Sequence, residues 1–79
     1  MMDIKKVVDL LPESVKYDTM NFEDVMLKDG RPAMRVTMCR LLTENELKVM
    51  RKEKHFLGLH LITRHKYAPE IRKSYFYVV

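Results

Sequence analysis

Three histidines, His55, His60 and His65, stand five residues apart, and the chain carries one cysteine, Cys39. Imidazoles bind metals and move protons, and a thiolate beside an imidazole is a nucleophile. The spacing argues against both uses. A strand over 56–66 points alternate residues to opposite faces, so His60 turns away from His65. No cluster of Cys, Asp or Glu lies nearby in sequence to complete a tetrahedral shell. Cys39, on a strand, reads as a small packing residue. The only glycines are Gly30 and Gly58, so there is no Gly-rich phosphate loop, and no Ser-His-Asp or paired-carboxylate pattern sits on a defined scaffold. The sequence points away from an enzyme and implies neither a metal nor a cofactor.

A second constellation lies in the C-terminal third. Read as a hairpin, it places His60, Ile62, Arg64 and Lys66 outward on one strand and Lys73, Tyr75 and Tyr77 outward on the next, with His65 and Arg72 near the tip. Aromatics flanked by cations on an open sheet have the chemistry of platforms on which single-stranded bases stack, each stack contributing roughly 1–3 kcal/mol. The plainer alternative is that Tyr75 and Tyr77 pack against each other and Ile62 as cross-strand neighbours, or lie under a dimer mate.

Charge distribution bears on the choice. The net charge is +4, but residues 1–47 hold seven Lys/Arg against nine Asp/Glu, giving −2, while residues 48–79 hold eight against two, giving +6. A positive surface raises the local concentration of anionic partners, and a Lys-rich solvated face also serves solubility. Seven methionines add an ambiguous feature: they fill core gaps or form an adaptable contact surface, with Met20 and Met26 expected on the outward face of their strand.

The elements that must position these residues follow from local signals. Asp3 caps a first helix with Ile4, Val7, Val8 and Leu11 on one stripe and Met2 and Val7 as a hydrophobic staple, and Pro12 ends it. Residues 20–42 read as a hairpin about Lys28-Asp29-Gly30-Arg31. A two-residue Asp-Gly turn would set Val25 opposite Met34 and Asp24 opposite Arg35, with Val25, Leu27, Met34 and Val36 on one face. A rival reading makes Phe22, Val25 and Met26 a helical face. Thr43 and Glu46 form a capping box for a second helix, with Leu42 and Leu47 as its staple.

Residues 56–66 and 74–79 read as the two strands of a second hairpin turning at Ala68-Pro69. Leu59 would meet Val78 and Leu61 would meet Phe76 inside, with His60 against Tyr77 and Ile62 against Tyr75 outside. The expected architecture is α+β in the order αββαββ, a four-stranded antiparallel sheet with two helices on one face. The two helix starts, Asp3 and Thr43, are 40 residues apart, but residue identities do not repeat with the elements.

Seventy-nine residues allow one domain with one core, marginal enough that self-association as a homodimer is a natural expectation. A lone cysteine and the absence of an apolar leader or of ~18 consecutive apolar residues point to a soluble, cytoplasmic protein. Two functions fit: a small basic module binding nucleic acid, single strands favoured, through the outer face and tip of the C-terminal hairpin, or a protein-interaction module. The latter would be an inhibitor or adaptor of the kind carried by phages and mobile elements, acting through the open sheet face or an edge strand.

Overall fold

Helix α1 (Ile4–Leu10) begins where Asp3 accepts a hydrogen bond from the Lys5 amide at 3.0 Å, and it buries Val7 fully while Ile4 stays half exposed. These facts come from a computed structural model that describes residues 2–79. Met2 and Leu11 pack against the same apolar cluster as Val7. Pro12 ends α1 as the sequence predicts, with Leu11 before it in extended geometry. It opens a further turn, α2 (Glu13–Lys16), its carbonyl accepting from the Val15 and Lys16 amides at 3.0 and 2.9 Å. A proline at a helix start loses nothing, because the amide it lacks would have no partner there.

Strands β1 (Thr19–Met26) and β2 (Pro32–Met38) form the first hairpin, which excludes the helical reading of Phe22, Val25 and Met26. The turn is one residue longer than Asp-Gly alone implies. The Leu27 amide donates to the Arg31 carbonyl and the Gly30 amide to the Leu27 carbonyl, both at 2.9 Å, and Gly30 takes φ +90°. Three residues therefore lie in the loop, with the glycine in the bulge position of a three-residue hairpin. That single residue changes the pairing: Glu23 faces Arg35, Asp24 faces Met34 and Val25 faces Ala33. Phe22, opposite Val36, is the β1 residue that packs on the core, and Val25 and Leu27 do not share the face of Met34 and Val36. A second irregularity between Thr19 and Asn21 bulges the strand at Met20.

Thr43 caps α3 (Glu44–Met50) with both halves of the capping box present, and i→i+3 bonds from Lys52 and Glu53 close its last turn. The strand expected over 56–66 is broken. β3 (Phe56–Leu57) and β4 (Ile62–Arg64) flank a tight turn in which Gly58 has φ +69° and the Leu61 amide donates to the Gly58 carbonyl at 3.0 Å. Both short strands pair antiparallel with β5 (Arg72–Val78), so the sheet has five strands in the order β1-β2-β5-β3 with β4 also on β5.

The expected pairs Leu59–Val78, Leu61–Phe76, His60–Tyr77 and Ile62–Tyr75 do not form. Phe56 faces Val78, Leu57 faces Tyr77, Ile62 faces Ser74, Thr63 faces Lys73 and Arg64 faces Arg72. The fold is α+β with a five-stranded antiparallel sheet and three helices, rather than four strands and two helices. With β3 and β4 both serving β5, the second half does not repeat the plan of the first. No helix among the described residues is long and apolar enough to cross a membrane.

One apolar cluster joins Val7, Val15 and Met50 from the helices to Met34, Val36, Met38, Phe76 and Val78 from the sheet. Phe76 is fully buried and meets Phe56 edge-to-face at 5.8 Å between centroids. Met34, Met38 and Met50 are core fillers, whereas Met20 and Met26 are exposed. Since the even-numbered residues of β2 and β5 enter this cluster, Arg35, Thr37, Lys73, Tyr75 and Tyr77 lie on the opposite face.

Where β2 ends, Arg40 ties four segments together. Its Nε donates to Asp18 Oδ2 at 2.7 Å, its Nη1 and Nη2 to the two Glu46 oxygens at 2.7 and 2.8 Å, and its own carbonyl accepts from the Ser74 amide at 3.1 Å. Glu46 also accepts from the Ser14 hydroxyl and the Thr43 amide. The Arg40 guanidinium, aided by Ser14 and Thr43, holds the buried Glu46 carboxyl at about 2 against the opposing effect of burial, and Glu46 and Asp18 in turn raise Arg40.

Candidate functional site

The alternation that buries Ser74, Phe76 and Val78 leaves Lys73, Tyr75 and Tyr77 half-buried on the other face of β5. β2 lies alongside and sets Thr37 opposite Tyr75 and Arg35 opposite Tyr77. β1 adds Asn21 opposite Thr37 and Glu23 opposite Arg35. On the far side β4 brings Ile62 and Thr63. Asn21, Arg35, Thr37, Ile62, Thr63 and Tyr75 line an open groove of about 390 Å³. Past Thr37 and Thr63 it continues into a hollow of about 220 Å³ between Met20, Arg64, His65 and Lys73.

The charges along this path are unevenly satisfied. Arg35 is ion-paired with Glu23 across β1 and β2. Lys73 donates its ammonium to the Met20 thioether at 3.4 Å, a weak acceptor, and Arg64 Nη1 reaches only the Pro69 carbonyl at 3.4 Å. Arg64 also sits directly across from Arg72, a like-charge arrangement that costs stability unless an anion offsets it. Among the described residues Arg64, Lys66, Arg72 and Lys73 form no ion pair, and Glu70 is the one acid between 54 and 79.

Of the residues that the sequence marks for binding, Ile62, Arg64, His65, Lys73 and Tyr75 come together in the groove. Four others lie outside its lining. His60 lies exposed in the turn after Gly58. Lys66 is at the hairpin tip, with its ammonium 5.5 Å from the centre of the exposed Tyr67 ring. Arg72 is exposed opposite Arg64. Tyr77 meets Tyr75 edge-to-face at 6.2 Å, as the packing alternative foresees, and borders the Gly58 turn.

Asn21, Arg35, Thr37 and Thr63 line the groove without having been marked by the sequence, and Met20, expected there only as an outward-facing contact residue, lines its far end. Asn21, Arg35 and Thr37 enter it because β2 neighbours β5, which no local pattern reveals, whereas Thr63 enters from β4 opposite Lys73. The tip itself is ordered by its own bonds: the His65 amide donates to the Ile71 carbonyl, the Ile71 amide to Ala68, and the Tyr67 amide to His65 Nδ1. Among the described residues no group of three His, Cys, Asp or Glu side chains is placed to hold a metal.

No protein-family model, curated protein or solved structure matches this chain.

Proposed function

We propose that this protein is a non-catalytic module that binds single-stranded nucleic acid along the outer face of its sheet and the tip of the β4–β5 hairpin. The observation that carries the reading is the groove whose floor includes Tyr75 and whose far end holds Lys73 and Arg64, two cations without a carboxylate partner. A half-buried aromatic supplies a sequence-tolerant stacking surface, and adjacent cations neutralise backbone phosphates. Lys66 and Arg72 extend the positive surface around the tip, with His65 beside them, and His60, Ile62 and Tyr77 complete the proposed interface. The shape of the site favours a single strand, whose bases splay toward an aromatic, over a duplex with its bases stacked inside. Competition between labelled single-stranded RNA, single-stranded DNA and duplex DNA tests this preference: displacement by single strands and not by duplex is expected.

A second reading, a protein-interaction module, draws on the free edge of β1. The sheet order leaves that eight-residue strand paired on one side only, with Met20 and Met26 exposed on it. In this reading a protein target or a second copy of the chain adds a strand there, and binding tolerates salt.

A further inference from the structure

Thr37 and Thr63 line both halves of the groove, and the halves differ in chemistry. The larger half has an aromatic floor in Tyr75, an aliphatic wall in Ile62 and the amide of Asn21, all suited to the flat face and polar edge of a base. The smaller half has hydroxyl donors and cations, and its cations are under-satisfied. Lys73, half-buried, has a thioether as its hydrogen-bond partner, and Arg64 faces a second arginine. Lys73 is a half-buried positive charge without an acid, which a bound anion would satisfy, and the exposed Arg64 stands at the rim of the same hollow. Lys73 and Tyr75 are two residues apart on the same face of β5, about 7 Å along the strand, which matches the separation between a base and its own phosphate.

Resting on the nucleic-acid reading, we propose that the groove is a two-part site for one nucleotide unit. The base lies over Tyr75 beside Asn21, and its phosphate lies against Lys73 with the hydroxyl of Thr63, its cross-strand neighbour, as a donor and Arg64 at the rim of the hollow. The binding of a single strand then has a fixed polarity through the groove, and a phosphorylated mononucleotide is its minimal ligand.

The test is an NMR chemical-shift titration of the full chain at low salt with a nucleoside 5′-monophosphate, the matching nucleoside, and inorganic phosphate, beside a ten-nucleotide single strand. The monophosphate is expected to bind at least about tenfold more tightly than either fragment. Lys73→Gln should remove that advantage while leaving the nucleoside unaffected, and Lys73→Arg should restore it. Tyr75→Ala should weaken the nucleoside and leave phosphate unaffected. If the oligonucleotide binds but the monophosphate is no tighter than inorganic phosphate, the two-part site is overturned and the broader interface stands. If neither the oligonucleotide nor the monophosphate binds the folded protein, both readings fall.

Discussion

Arg40 grips Glu46 with both terminal nitrogens, Nη1 on Oε1 at 2.7 Å and Nη2 on Oε2 at 2.8 Å, while its Nε holds Asp18. This fork joins the start of α3 to the α2–β1 junction at the end of β2. Fork-to-fork geometry is the strongest form of such a pair, and Glu46 is only 7% exposed. Arg40→Ala leaves that carboxylate buried with its counter-charge gone, so a loss of about 3 kcal/mol is expected in urea unfolding. Arg40→Lys should recover part of it, since a lysine cannot bond both oxygens in a plane.

Acid should act through the same residue. The Glu46 carboxyl is held at about 2 in the fold, against an ordinary value of 4.5. A carboxyl depressed on folding contributes stability that is complete above about pH 4.5 and is lost as pH falls toward 2. With Arg40 a third exposed, the contribution is about 2–3 kcal/mol. Urea midpoints measured from pH 6 to pH 2.5 should fall over that window, and Glu46→Gln should flatten the fall while lowering stability at pH 6.

Ser74 is buried, and its hydroxyl accepts from the Leu42 amide at 2.8 Å. Ser74→Ala strands that buried amide and should cost about 1–3 kcal/mol, read by thermal or urea unfolding. Hydrogen exchange at Leu42 should quicken in the variant.

The two glycines should respond unequally to alanine. Gly30 has positive φ with open space around it, so Gly30→Ala meets only backbone strain of about 1 kcal/mol. Gly58 has positive φ as well, and a Cβ there would stand 2.7 Å from Leu61 Cδ1 and 3.4 Å from the Tyr77 ring. Gly58→Ala should therefore cost more than Gly30→Ala and shift the Tyr77 ring resonances, which Gly30→Ala should leave in place.

Signals confined to a few neighbouring residues were readable in the sequence. The Asp3 cap, the Thr43–Glu46 capping box and the alternation of 74–78 each need only adjacent residues, and each is present. Where a glycine decided between two local geometries, sequence and structure part. Gly30 in a three-residue loop moved the β1 register by one, and Gly58 turned an apparent strand over 56–66 into two short ones. The leucines at 57, 59 and 61 imitate strand alternation, yet Leu59 is buried from within a turn.

The Arg40 cluster and half of the groove depend on contacts distant in the chain. Glu46 reaches Arg40 from the next helix, six residues on, but Ser14 and Asp18 meet Arg40 from distant segments, and Asn21, Arg35 and Thr37 line the groove with Tyr75 because β2 lies between β1 and β5. Tyr75, Lys73 and Arg64 were legible because they share one hairpin.

The central claim, a single-strand site over Tyr75, is tested most directly by fluorescence anisotropy with labelled single-stranded RNA and DNA at two salt concentrations, using the native protein, Tyr75→Ala and Arg64→Ala. Affinity should fall steeply with salt, Tyr75→Ala should cost about 1–3 kcal/mol at both salts, and Arg64→Ala should weaken binding and reduce the salt slope by about one. Absence of binding at low salt by the folded native protein, or binding that neither substitution changes, would contradict the account and direct attention to the free edge of β1.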